Sequence, residues 1–217
     1  SLDVMSSHAT RFLGMLAGGT LLAYLENDNV FLVLFFVYTV ATILFVKCKD
    51  AAKGLDKVES KIQVSSVLKD ALAKPKVFVV LMLTPLFNIF ALPFVALIPL
   101  LFIEKFSTGE LLTGSLTALE GVGAVFGALM VSIANPKNMA FVFCTMLFTL
   151  FLAIFLSSNS PNVLSLTLFI FGYGVTSSAY SAMQSSIIYA SSDPHLRSAT
   201  FSILTIAIGS GFLGALN

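Results

Sequence analysis

One acidic side chain lies well inside an apolar stretch. Glu120 sits in LLTGSLTALEGVGAVFGALMVSIA, ten residues on from Glu110, so roughly 15 Å along a helix that rises 1.5 Å per residue. If that stretch crosses a bilayer, Glu120 is near the midplane. A charged side chain there costs at least ~2.5 kcal/mol, so such residues face a cavity or a partner and mark ion or proton pathways. A carboxyl in such surroundings can take up and release a proton; the alternative is a structural glutamate, protonated or hydrogen-bonded between helices. Asn88 and Tyr173 fall at a similar depth in their own apolar stretches. Tyr180 and Gln184 continue the Tyr173 stretch at spacings that keep them near one helical face. Each alone reads as an interhelical hydrogen bond; at one depth the residues form a candidate polar lining. Arg11 stands near the start of the first apolar stretch, where its long side chain can reach the interface. His8 and His195 are isolated, and Cys48 and Cys144 are far apart, so no metal site or disulfide is proposed. There is no P-loop, Gly-x-Ser-x-Gly, His-Glu-x-x-His or Ser–His–Asp arrangement. Neither an enzyme, a bound cofactor nor ATP as energy source is indicated.

The elements that must position these residues follow from composition. A chain 57% hydrophobic and 11% charged, with mean hydropathy +0.96, lacks the polar surface of a soluble domain. Its apolar blocks are about 20 residues or longer, enough to cross a bilayer as helices, and are continuous rather than alternating, which argues against a β-barrel. The expected fold is all-α, a polytopic transmembrane protein. Seven spans are predicted, at about 9–25, 29–47, 77–103, 111–134, 139–157, 162–190 and 198–217. Threading them back and forth puts Arg11, the segment 48–76 with its flanks, Lys137 and Arg197 on one side. That side holds eleven of the twelve basic residues and only Lys105 lies opposite, so the positive-inside rule makes it cytoplasmic.

The stretch KCKDAAKGLDKVESKIQVSSVLKDALAKPK, 47–76, carries eight of the twelve basic residues. Leu55, Val58, Ile62, Leu68 and Leu72 approximate one helical face, which predicts a basic amphipathic helix on the cytoplasmic surface, drawn to anionic lipid headgroups. Without aromatic interleaving or a recognition motif, nucleic acid is not the expected partner. Pro85, Pro93 and Pro99 in the third span and Gly172-Tyr173-Gly174 in the sixth predict bent or interrupted helices that line a cavity. Gly114, Gly121, Gly123 and Gly127 in the fourth span, with Gly209, Gly211 and Gly214 in the seventh, predict close helix packing. With no initiator Met and a last residue inside an apolar run, the chain is expected to be an excerpt of a longer protein.

Two spans, a long cytoplasmic loop and at least five further spans resemble the middle and C-terminal part of a major facilitator superfamily transporter. Arg11-Phe12-Leu13-Gly14-Met15-Leu16-Ala17-Gly18-Gly19 is similar to the fifth-helix antiporter signature, with Arg11, Gly14, Gly18 and Gly19 matching and Met15 where the family has Pro. Leu68 to Pro75 resembles the short helix that enters the seventh helix. Glu120-x-x-Gly123-x-x-x-Gly127 and Asp193-Pro194-His195-Leu196-Arg197 are similar to segments of the macrolide-efflux and siderophore-exporter branch. The resemblance implies that 1–47 are the last two helices of the N-terminal half, 48–76 the linker, and 77–217 an incomplete C-terminal half of about five helices. It also implies a proton-coupled exporter of small amphipathic or cationic molecules in a bacterial inner membrane, working by alternating access. Glu120 would then couple protons or recognise a cation, with Asn88, Tyr173, Tyr180 and Gln184 in the cavity. An importer or uniporter of the same fold, or a non-transporting membrane scaffold, are the alternatives.

Overall fold

The structure is a computed structural model that describes residues 27–51, 64–134 and 136–211, together with 13, 14, 17, 18, 20, 21, 24 and 25. Within these the chain forms seven helices: α1 (Asn27–Ala51), α2 (Val64–Ala73), α3 (Pro75–Phe106), α4 (Glu110–Ala134), α5 (Met139–Ser158), α6 (Val163–Ser191) and α7 (Arg197–Gly209). No strand occurs among the described residues. Five helices are long and apolar enough to cross a membrane, namely α1 over Asn29–Lys47, α3, α4, α5 and α6. The chain is therefore an integral, multi-pass, all-α membrane protein. The predicted span 9–25 lies largely outside the described residues. The span at 198–217 is described only as far as 211, where α7 supplies a helix of 13 residues.

The helix boundaries have local causes. Lys74 precedes a proline and is extended (φ −100°, ψ 104°), because the proline ring disfavours helical backbone in the residue before it. That residue separates α2 from α3, and Pro75 then occupies the first turn of α3, where no N–H is needed. α3 runs for 32 residues through Pro85, Pro93 and Pro99 as one helix, so of the bent or interrupted helix expected there the interruption does not occur. At 1.5 Å per residue it is about 48 Å long, well beyond the ~30 Å hydrocarbon core. It stops at Ser107, in left-handed backbone (φ 52°), whose N–H donates to the Ile103 carbonyl. α5 starts under an Asn138 cap on the Phe141 N–H. α6 starts with a reciprocal capping box between Asn162 and Ser165, and is likewise continuous through Gly172 and Gly174.

α6 is the hub, packing along α4 and α5 and also touching α3 and α7. Two apolar clusters lie along it. One, at the end that carries Lys74 and Lys137, joins Val77, Val80 and Leu81 to Phe143, Tyr180, Met183, Ile187 and Leu204. The other joins Ala91, Phe94, Ile98 and Phe102 to Leu150, Leu166, Ile170 and Tyr173. α1 by contrast exposes Phe31, Phe35, Phe36, Tyr38 and Phe45 around its circumference.

The short helix α2 seats differently from the expectation. Leu68 and Leu72 are 44% and 47% exposed, while Val67 and Ala71 are 2% and 1% exposed. The buried stripe is thus one residue back around the helix: the i, i+4 pair Val67 and Ala71 is small enough to lie against α3 and α7, which the two leucines flank. Leu55, Val58 and Ile62 lie outside the described residues.

Candidate functional site

The α4–α6 seam positions Glu120. A Cβ built on Gly123 would overlap the Phe171 carbonyl, one on Gly127 the Val175 carbonyl, and one on Gly174 the Glu120 carbonyl. Three glycines on two helices thus let the backbones touch, the close approach expected of Gly123-x-x-x-Gly127, with Gly174 as an additional member. Glu120 lies at the centre of this seam and is fully buried, on the α4 face shared with Thr113, Thr117 and Ala124.

On the other side of α6 the seam with α3 is polar. Tyr173 Oη donates to the Ala91 carbonyl across 3.0 Å, and its ring meets Phe94 at 5.1 Å between centroids. Asn88 is buried and its side-chain amide donates to the Thr84 carbonyl on its own helix at 2.9 Å. Gln184 Nε2 donates to Thr84 Oγ1, while Thr84 Oγ1 donates back to the Val80 carbonyl at 2.7 Å. Tyr180 is held between Phe87 and Phe143, with both ring pairs stacked at 4.5 Å. Buried polar groups in a low-dielectric interior need such partners, and the fixed registry they impose locks α6 against α3.

The predicted residues therefore fall at two levels. Ala91 faces Tyr173, and Glu120 abuts Gly174, so Tyr173 and Glu120 share one level on opposite sides of α6, with Asn88 one turn of α3 away. Tyr180 and Gln184 lie nearer the basic end, around Thr84 and Phe87. Of the antiporter-like motif, Arg11 and Gly19 are outside the described residues, and Gly14 and Gly18 have open space where a Cβ would stand.

A feature not anticipated lies at the basic end. A cavity of about 500 Å³ is bounded by Val131, Ser132, Pro136 and Met139 from the α4–α5 turn, by Ala182, Met183, Ser185, Ser186, Tyr189 and Ala190 of α6, and by Phe201 of α7. An apolar recess of about 220 Å³ adjoins it, sharing Val131 and Pro136 and reaching Gly127 and Val175. Neither contains Glu120, Asn88 or Tyr173 in its lining. The sequence does hold the signal: Ala182, Ser185, Ser186, Tyr189 and Ala190 are spaced i, i+3, i+4, i+7, i+8, one face of small and hydroxyl side chains.

The same end carries an ion-pair tie. Lys74 Nζ lies 2.9 Å from Asp70 and 3.1 Å from Asp193, joining α2 to the α6–α7 turn. Desolvation pulls the Lys74 pKa down, but hydrogen bonds and charge attraction from Asp70 and Asp193 outweigh it and hold the ammonium above its ordinary value of 10.5. Among the described residues, no three His, Cys, Asp or Glu side chains gather where they could hold a metal ion.

Comparison with known proteins gives one match. Residues 1–215 match the family model described as Major Facilitator Superfamily. No curated protein and no solved structure matches the chain.

Proposed function

The chain belongs to the major facilitator superfamily and is thus of secondary-transporter type, and from that premise we propose that it acts in proton-coupled export of small amphipathic or cationic molecules by alternating access. The observation that carries the reading is the placement of Glu120, fully buried at the level of Tyr173 where α4 and α6 touch through glycine. An ionised carboxylate is poorly accommodated in a dry helix seam, so its charge state biases the equilibrium between a closed seam and one that admits water or substrate. A proton and a cationic substrate then compete for one carboxylate, and the competition is the coupling. Tyr173 and Gln184 bond across to α3 and Tyr180 stacks on Phe87, which sets the registry of α3 on α6; with Asn88, which bonds within α3, they are the polar groups that rearrangement would expose. The segment 48–76 lies on the cytoplasmic side in this reading, in a bacterial inner membrane.

The test is proton-gradient-driven movement of cationic and neutral dyes in inverted vesicles, comparing the protein with its Glu120→Gln variant. Loss of only the gradient-driven component identifies Glu120 as the coupling group. Equal transport by both assigns it a structural role. One observation favours that second reading, an importer or uniporter of the same fold: Glu120 lines neither cavity at the basic end.

A further inference from the structure

The cavity at the basic end has the chemistry of an anion site. Several hydroxyls in α6 and α7 are satisfied within their own helix: Ser181, Thr200 and Ser202 each donate to the carbonyl four residues back. Ser132, Ser185 and Ser186, which line the cavity, make no hydrogen bond among the described residues. Their hydroxyls are therefore available to a ligand in the cavity. The lining holds no carboxylate, and Lys137 follows Pro136 directly.

Arg197 supplies the charge. Its guanidinium stacks on the ring of Tyr189, a cavity wall, with 4.0 Å from the guanidinium carbon to the ring centroid. Arg197 forms no ion pair or hydrogen bond among the described residues, and its Nε is buried without a partner. Asp193, four residues before Arg197, is held by Lys74, which also pairs with Asp70. A half-buried guanidinium with no counter-charge among the described residues, stacked on a ring that walls the cavity, is costly in a helical bundle, and an anion relieves it. Arg197 also opens α7, whose first turn has no side-chain cap, so the helix dipole adds attraction for negative charge.

We infer that the cavity between the α4–α5 turn, α6 and α7 binds a phosphate-type anion, with Arg197 as the charged donor and Ser132, Ser185 and Ser186 as hydroxyl donors. This inference is independent of Glu120 and of the transport direction. The anion has two natural sources, the headgroup of an anionic phospholipid and a free phosphate. The experiment follows thermal unfolding of the protein in phosphatidylcholine nanodiscs on titration with inorganic phosphate, and separately in nanodiscs doped with phosphatidylglycerol, against chloride at matched ionic strength. Stabilisation by phosphate identifies the free anion, and stabilisation by phosphatidylglycerol alone identifies the lipid. In either case Arg197→Gln weakens the apparent affinity about tenfold or more, since a charge-assisted contact is lost. Arg197→Lys retains part of it, and Ser185→Ala/Ser186→Ala lowers it several-fold with the charge intact. No stabilisation by either probe, or equal stabilisation of the protein and the serine double variant, overturns the inference. The serine variant serves as the decisive comparison should Arg197→Gln fail to fold.

Discussion

Two glycines two residues apart on α6 should respond oppositely to the same substitution. A Cβ on Gly174 would lie 2.9 Å from the Glu120 carbonyl carbon and 3.0 Å from the Ala124 nitrogen, with the carbonyl oxygen closer still. Ordinary contact begins near 3.4 Å, so even the carbonyl carbon is about 0.5 Å too near, and the obstacle is α4 backbone, not a side chain that could swing away. Gly174→Ala must therefore push the two helices apart. Overpacking of this kind costs about 1–3 kcal/mol, and weakening the Cα–H···O contacts along the seam adds about 0.5–1 kcal/mol. The better helix propensity of alanine returns about 1 kcal/mol. The net is a destabilisation of about 2 kcal/mol. At Gly172 nothing lies within 4 Å of the added carbon, so only the propensity gain applies. Gly172→Ala should be neutral or stabilising by up to about 1 kcal/mol. The two variants then differ by about 3 kcal/mol, a gap of roughly 6–12 °C in unfolding midpoint for a chain of this size. Circular dichroism of the purified protein in detergent measures it. Midpoints within a degree or two of each other would refute the close α4–α6 approach, and with it the burial of Glu120 that depends on it.

Other substitutions probe separate parts of the fold. Thr84→Val leaves the buried Gln184 amide without its partner and should cost about 1–3 kcal/mol, whereas Thr84→Val/Gln184→Leu removes both halves and should recover most of that; the four unfolding midpoints of a double-mutant cycle give the coupling directly. Ser107→Gly relieves a non-glycine residue held at φ 52° and should stabilise by about 1 kcal/mol, whereas Ser107→Ala should not. Asp193→Asn removes one of the two carboxylates on Lys74; because the pair is partly exposed, the loss should stay below about 1 kcal/mol and shrink with added salt. The raised pKa fixes the sign of its pH dependence: the tie contributes fully below the ordinary lysine value of 10.5 and is lost as pH rises through the higher folded value. A stability profile in which Asp193→Asn matters only above that range would contradict the pairing.

How much of this was legible beforehand depended on whether the governing constraint was local or between helices. Span placement is local: a block of apolar residues must become a helix in lipid because its backbone groups have no other partners, and five such blocks form helices at close to the expected limits. The glycine pair at Gly123 and Gly127 is nearly local, since its spacing places both on one face of α4. Its partner Gly174 could not be assigned from spacing, because whether Gly172 or Gly174 meets α4 depends on the rotation of α6 about its axis. The same limit explains α2. Val67-Leu68 and Ala71-Leu72 offer two adjacent apolar stripes, and hydrophobicity favours the leucines, but the available groove takes the smaller pair. The prolines of α3 do not interrupt it, for a different reason. Each removes one N–H without forbidding helix on either side, and a helix held by α6 through Thr84, Phe87 and Ala91 continues across them.

The serines of α6 show the limit most clearly. Ser177, Ser181, Ser185 and Ser186 are alike in composition, yet the first two bond back to their own helix and the last two face a cavity. What separates them is the neighbour. Ser177 and Ser181 lie where α6 packs on its neighbours and bond within their own helix, whereas Ser185 and Ser186 lie where a cavity runs along α6 from Ala182 to Ala190, with Arg197 stacked on its Tyr189 wall. A polar residue in a span therefore announces an open anion-binding cavity when three conditions meet: an unfilled volume, a donor not already used by its own helix, and a positive charge without a counterpart among the described residues. Glu120 offers a charged group inside a closed seam, whereas the Ser185–Arg197 region offers all three, so under the two proposals Arg197→Gln should change the response to phosphate and Glu120→Gln the gradient-driven component of transport, each leaving the other unchanged.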